Sequence, residues 1–254
     1  MTRSATGGRV VRVGVLGALG RMGTTVCDAV TADPDLDLVA RVDQDDPLQA
    51  LVETNTEVAV DFTTPAVVKD NVRFCLSNDI HIVVGTTGWT EADLAEVERW
   101  ANASQANAFV APNFALGAVL MMRFAAEAAR HYGSGEIIER HHENKLDAPS
   151  GTALRTAELM DRARGDAGWL QTPSKESVPG SRGADAGGVR IHSVRVPGSV
   201  AHQDVIFGAA GETLTIRHDS LDRTSFMPGV LLAIKTVGTR PGLTVGLEHL
   251  LEES

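Results

Sequence analysis

VVRVGVLGALGRMG, residues 10–23, decides the fold. Val10 to Leu16 is a short run rich in β-branched residues that ends in glycine, the pattern of a buried strand. Met22 to Ala32 follows with helical spacing. Between them Gly14, Gly17, Gly20 and Gly23 recur every three residues. Glycines permit a tight turn and close backbone approach, and the N-terminus of the next helix offers free N–H groups to a pyrophosphate. A glycine string alone is equally an ordinary turn. Here it follows a predicted strand and opens a predicted helix, the context that a dinucleotide site requires. A GxxxxGK[ST] loop is absent, which weakens an ATPase reading.

The same grammar continues outward. Leu36 to Val42 reads as a second strand, ending at Asp43. Val58 to Phe62 and Ile80 to Val84 are two more, with a helix from Pro65 to Ser77 between them. Thr90 opens another helix, with Glu91 and Asp93 at its positive end and apolar Leu94, Val97 and Trp100 along it. Ala108 to Ala111 is a fifth strand. Alternating strands and helices imply a doubly wound parallel sheet, in which ligands bind beyond the carboxyl ends of the strands. The unusual residues fall there. Asp43 can accept hydrogen bonds from an adenosine ribose, which favours NAD over NADP, whereas Arg21 could pair with a 2′-phosphate. The rival reading of Asp43 is a solvated turn acid, since Asp45 and Asp46 lie nearby. Gly85, Thr86 and Thr87, with Ala111, Pro112, Asn113 and Phe114, converge on one crevice edge where a nicotinamide would lie.

After Asn113 the pattern changes. A helix from Gly117 to Tyr132, a strand from Glu136 to Arg140 and a helix from Thr152 to Arg164 precede a Gly- and Pro-rich loop over 166–188. Three adjacent strands follow, Val189 to Val196, Val200 to Gly208 and Glu212 to His218. They suggest an antiparallel or mixed sheet, hence a second α+β domain. An apolar helix from Pro228 to Val237 could return to the first. The expected division is residues 1–115 with 225–254 as a Rossmann-like dinucleotide-binding domain, and 116–224 as a substrate-binding and oligomerisation domain.

Composition narrows the classes. The chain has 254 residues, 43% apolar and 22% charged, unlike a disordered, collagen-like or coiled-coil chain. Its net charge of −10 and 4% aromatic content argue against nucleic-acid binding. No apolar run approaches the roughly 20 residues of a membrane span. The first ten residues lack an apolar core, so no secretory signal is expected, and Met1 to Gly8 reads as a frayed tail. Cys27 and Cys75 form no CxxC, which makes a disulfide framework unexpected and a reducing cytoplasm the default.

Six of the eight histidines lie between residues 131 and 218. His141, His142 and Lys145 form HHxxK directly after a predicted strand. Histidine transfers protons near neutral pH, and lysine can hold an anion or donate a proton. The bland reading is a solvated turn. Metal binding through His141, His142, Glu143 and His131 is not expected, because adjacent residues rarely point at one ion and no HxxxH spacing occurs. Downstream, Ser150, Gly151 and Thr152 lie at a helix mouth. Their N–H groups and the Thr152 hydroxyl can bind a carboxylate, and Ser150 or Thr152 can also simply cap the helix. A proton donor, a cation and an anion nest in one loop point to a small acidic substrate.

With these residues in view, the chain resembles the dihydrodipicolinate reductase family of the bacterial diaminopimelate and lysine pathway, in its actinobacterial form. The segments that carry the resemblance are VGVLGALGRMG, VDFTTP, VVGTTG, APNFALG, ERHHENKLDAPSGTA and GETLTIRHDSLDRTSF. The resemblance implies an NAD(P)H-dependent oxidoreductase that reduces dihydrodipicolinate, and a homotetramer built by the second domain. It implies that Gly17, Ala18, Leu19, Gly20, Arg21 and Met22 cradle the pyrophosphate and that Asp43 meets the ribose. Gly85 to Thr87 and Ala111 to Phe114 would line the nicotinamide side. His141 would be the proton donor or acceptor and Lys145 a second donor. His142, Gly151 and Thr152 would bind substrate carboxylates. Relatives that use both cofactors often carry a second basic residue where this chain has Leu19, so NADH use is better supported than NADPH use. The alternative is another NAD(P)-dependent oxidoreductase of a small carboxylate, which leaves HHENKLDAPSGT unexplained.

Overall fold

The structure is a computed structural model that describes residues 9–170, 172–173 and 175–251. The tail expected over Met1 to Gly8 lies outside the described residues. Two compact units divide the chain. One is formed by residues up to Phe114 together with those from Phe226 onward, the other by Ala115 to Ser225.

The first unit runs β1 (Val11–Leu16), α1 (Arg21–Ala32), β2 (Leu36–Val42), α2 (Gln49–Glu53), β3 (Val58–Asp61), α3 (Val68–Ser77), β4 (His81–Val84), α4 (Glu91–Asn102) and β5 (Ala108–Val110). The second contains α5 (Leu116–Ala129), β6 (Ser134–His141), α6 (Gly151–Arg164), β7 (Ala184–Ala186), β8 (Val189–Arg195), β9 (Ala201–Ala209) and β10 (Glu212–Ser220). The chain then re-enters the first unit through α7 (Met227–Thr236) and β11 (Leu243–Val245).

The first sheet has the order β11-β5-β4-β3-β1-β2, with every pairing parallel. Its central strands are short apolar runs because helices cover both faces, so alternation would expose nothing useful. All four residues of β3 and all three of β5 are buried. Leu16, Val42, Leu51, Val72, Ile82 and Val97 belong to one continuous core. Thr90 starts α4 with a reciprocal cap: its hydroxyl accepts from the Asp93 N–H, and the Asp93 side chain accepts from the Thr90 N–H.

The second sheet is mixed, in the order β10-β9-β6-β8-β7. β6 runs parallel to β8, whereas β9 is antiparallel to both β6 and β10. Along β6 burial alternates, with Gly135, Ile137 and Glu139 inward. A period of two places His141 on that same face.

Three short elements depart from the sequence expectation. α2 and β11 occupy stretches that carried no assignment, and β7 lies inside the predicted loop over 166–188. Three to five residues are too few for a periodicity to register. β11 is held by its parallel pairing with β5, a contact between segments more than 130 positions apart. No helix among the described residues is long and apolar enough to cross a membrane.

Candidate active site

The glycine loop is built for close approach. Gly17 has φ +74°, where a side chain is strained, and a Cβ there would lie 2.6 Å from the Phe62 carbonyl oxygen. A Cβ on Gly23 would lie 2.0 Å from the Gly17 carbonyl oxygen. Backbone alone can therefore line this turn. The N–H groups of Gly17 and Ala18 both donate to the Val42 carbonyl, at 2.9 and 3.2 Å, which pins the loop across the end of β2. Gly20 caps α1 without a side-chain hydrogen bond, and the first turn carries no acid. The positive end of that helix is thus free of a competing carboxylate, as a bound pyrophosphate requires. These features fit a dinucleotide. Leu19 and Arg21 are exposed on the loop.

Asp43 stands at the end of β2. Its carboxylate accepts from the N–H of Gln44 at 2.8 Å and of Leu19 at 2.7 Å. Those two donors hold its carboxyl below the usual carboxylate range. It is therefore more than a solvated turn acid: it joins the strand end to the glycine loop.

Arg21, Met22, Phe62, Thr63, Pro65, Gly85, Thr86 and Thr87 line a cavity of about 290 Å³ beside the glycine loop. The carboxyl ends of β1, β3 and β4 open toward it. Below lies Asp61, fully buried at the end of β3. One oxygen accepts from the Thr63 N–H at 3.0 Å, the Thr63 hydroxyl at 2.8 Å and the Thr86 hydroxyl at 2.8 Å. The other accepts from the Asn71 amide at 2.8 Å. From this strand end the Thr86 hydroxyl could face the crevice. Instead that hydroxyl serves Asp61, because a buried carboxylate needs donors on every side. Thr87 is exposed. Phe62 draws the remaining pieces together. A Cβ on Gly85 would lie 2.1 Å from its ring, and the Phe114 ring sits 5.9 Å away, tilted 56°. Ala111 and Phe114 are buried, Pro112 is exposed and Asn113 lies between.

In the second unit the HHENKLDAPSGT segment leaves the end of β6. His141 is 14% exposed, and its Nδ1 lies 2.5 Å from Oε2 of the fully buried Glu139. Arg195, on β8, grips both oxygens of Glu139, at 2.8 and 2.9 Å. The same guanidinium donates to the carbonyls of Lys145 and Asp147, at 3.3 and 2.6 Å. Burial pushes the Glu139 pKa up, but hydrogen bonds from His141, Arg195 and Ser193 outweigh it and bring the carboxyl down to about 2.

The Lys145 ammonium donates to Asp147 at 2.8 Å and is 23% exposed. That hydrogen bond, against a smaller opposing effect of burial, holds the Asp147 carboxyl low. His142 and Gly151 are exposed, and Thr152 is half-buried. Ser150 is buried and caps α6, its hydroxyl accepting from the Ala153 N–H at 3.2 Å. The Ser150 N–H donates to Glu139 at 3.2 Å. The capping reading of Ser150 therefore holds, and Gly151 and Thr152 form the first turn of the helix that it caps. The Ala148–Pro149 peptide is cis.

The sequence reading did not single out Asp61, Phe62, Glu139 or Arg195. Two signals were available. An acid ends an otherwise apolar strand at Asp61, and Glu139 shares the two-residue phase of His141. Arg195 had none, because only sheet pairing brings β8 beside β6.

Comparison with known proteins agrees across nearly the whole chain. The family model "Dihydrodipicolinate reductase, N-terminus" matches residues 11–114, and "Dihydrodipicolinate reductase, C-terminus" matches residues 117–251. A 4-hydroxy-tetrahydrodipicolinate reductase of Nocardia farcinica is 58% identical over 245 residues, covering 95% of this chain and 99% of that protein. One from Mycobacterium sp. (strain KMS) is 55% identical over 243 residues, covering 95% and 99%. The solved dipicolinate-bound dihydrodipicolinate reductase from Paenisporosarcina sp. TG-14 superposes with a TM-score of 0.86. It is 39% identical, with 94% of this chain and 99% of that one covered.

Proposed function

The chain belongs to the dihydrodipicolinate reductase family, and from that premise we propose how its residues carry out the reaction. The enzyme is an NAD(P)H-dependent oxidoreductase that reduces dihydrodipicolinate, or its hydrate 4-hydroxy-tetrahydrodipicolinate with loss of water, to tetrahydrodipicolinate in diaminopimelate and lysine biosynthesis. The single observation that supports the assignment of roles is the hold of Glu139 on His141 in the loop that also carries Lys145 and the mouth of α6.

The first unit binds the dinucleotide, with Gly17 to Met22 around the pyrophosphate and Asp43 at the ribose. Gly85 to Thr87 and Ala111 to Phe114 line the nicotinamide side. When bound, the nicotinamide supplies a hydride. The chain's own residues do the rest. The Gly151 and Thr152 amides and His142 bind the carboxylates of the substrate. The Lys145 ammonium stabilises negative charge that develops on the ring as it is reduced. His141 delivers the balancing proton, a contribution typically worth ~10²–10⁴-fold.

The proposal extends to a homotetramer assembled through the second unit. Support comes from the outer face of its sheet, where Ile138 and Ile206 border an open cavity of about 310 Å³. A cytoplasmic setting rests on Cys27 and Cys75, both buried free thiols.

The deciding experiment mixes the protein with NADH and freshly made substrate and follows NADH absorbance. Substrate-dependent oxidation is expected. Binding of NADH with no oxidation in the presence of substrate would point instead to a non-catalytic sensor.

A further inference from the structure

The Glu139–Arg195 pair is placed where it governs a proton rather than merely filling the core. Glu139 is surrounded by donors: His141 Nδ1 and Arg195 on Oε2, Arg195 and the Ser150 N–H on Oε1, and the Ser193 side chain beside them. A carboxylate gripped at both oxygens by a guanidinium is ionised, and an ionised carboxylate only accepts hydrogen bonds. His141 Nδ1, 2.5 Å away, must therefore carry a hydrogen.

We propose that Glu139 is the positioning residue of the reaction: it fixes His141 as the Nδ1–H tautomer, so that Nε2 is the atom that exchanges the proton with substrate. The inference rests on the reading of His141 as proton donor. The step balances. Before transfer the ring carries hydrogens on both nitrogens. The 4-hydroxyl leaves as water first. The Nε2–H bond then breaks, the proton joins the resulting dihydrodipicolinate as it accepts the hydride from the bound dinucleotide, and a neutral Nδ1–H ring remains on Glu139.

Arg195 has a separate part. It offsets the buried charge of Glu139, and through the Lys145 and Asp147 carbonyls it carries the same anchor into the substrate loop. The Ser150 N–H carries it to the mouth of α6. One buried carboxylate thus sets the proton donor, the cation and the anion nest in a common frame. An Nδ1–H donating to a fixed acceptor is also how ring orientation is maintained at other histidine sites.

The test is spectroscopic and kinetic. Protein labelled with ¹⁵N-histidine is sedimented at alkaline pH, and its solid-state ¹⁵N spectrum is compared with that of His141→Asn to isolate the His141 ring. The expected difference is a protonated Nδ1 and a bare Nε2. A bare Nδ1 with protonated Nε2 overturns the proposal, and this measurement needs no Glu139 variant to fold.

The second arm is a double-mutant cycle. Glu139→Gln alone is expected to lower kcat by about 10²-fold, part of what a general acid supplies. Glu139→Asp should recover part of that loss. In a His141→Ala background, Glu139→Gln should cost far less in kcat, because the group through which it governs the proton is gone and only its hold on the substrate loop remains. Equal losses in both backgrounds would make Glu139 a packing residue and sink the inference. If His141→Ala itself keeps full kcat, the reading of His141 fails, while the ¹⁵N spectrum still decides whether Glu139 sets the tautomer.

Discussion

The carboxylate of Asp43 accepts a 2.7 Å hydrogen bond from the backbone N–H of Leu19, so the acid that ends β2 and the exposed tip of the glycine loop form one unit. With the ribose placed as proposed, a 2′-phosphate would bring two negative charges to this acid, whose carboxyl is held low by its backbone donors. Like charges at contact distance cost on the order of a few kcal/mol in a partly screened site. Asp43→Ala is therefore expected to move the ratio of kcat/KM values toward NADPH by about tenfold or more. Separate titrations with NADH and NADPH check this, and an unchanged ratio would remove Asp43 from cofactor discrimination.

Gly23 has no room to change. Its Cβ would meet the Gly17 carbonyl at 2.0 Å, and that oxygen belongs to backbone. Gly23→Ala should raise the dinucleotide KM by more than about tenfold and lower stability by at least about 2 kcal/mol, since overpacking here can be relieved only by moving the turn. Isothermal titration with NADH and urea unfolding measure the two effects. Parent-like NADH affinity would show that the turn is not the cradle.

His141→Ala should reduce kcat by about 10²–10⁴-fold with dinucleotide affinity little changed, because on the proposed assignment the general acid is lost while the nucleotide loop is untouched. Lys145→Ala should raise the substrate KM and lower kcat together, since on the proposed assignment one ammonium both holds an anion and stabilises developing charge. Steady-state kinetics separate the two patterns. Normal constants in Lys145→Ala would leave it an ordinary loop lysine.

Asp61 is fully buried beneath the cavity and joins Thr63, Thr86 and Asn71. Asp61→Asn places a donor against other donors and removes the charge that strengthens these bonds. A loss of about 2–3 kcal/mol is expected in urea unfolding. A change within about 0.5 kcal/mol, the range of ordinary surface substitutions, would show that the network is dispensable.

Acid should weaken the fold through two histidines. His81 and His218 are held below the ordinary histidine pKa, chiefly by burial. The His81 ring accepts from the Asn107 N–H at 2.9 Å through Nδ1, which requires that nitrogen to be unprotonated. The unfolded chain protonates these rings near pH ~6.5, and the folded chain does so only at lower pH. Unfolded protein then binds more protons, so stability is complete above that point and declines as pH falls below it. Glu139 and Asp219, both brought down to about 2, keep their contributions until far more acid conditions. His81→Asn retains an acceptor and cannot titrate. It should flatten part of the decline between about pH 6.5 and 5 in denaturant midpoints, and an unaltered slope would exclude His81.

Much of this protein is legible in one dimension because the relevant forces are local. Periodicity placed the strands and helices around Val13, Ile82 and Val97, and glycine spacing placed the turn where only backbone fits. The adjacency of His141, His142 and Lys145 to the mouth of α6 is likewise a matter of a few positions along the chain. What the tertiary structure alone decided is which polar groups own one another. Thr86 faces Asp61 rather than the crevice because burying that carboxylate requires donors from β3, α3 and the loop after β4 at once. Arg195 reaches Glu139 from a strand 56 positions away, through a sheet pairing that no local pattern encodes. The cost of leaving a buried charge unpaired selects these partners, and that cost exists only once the chain has closed around them.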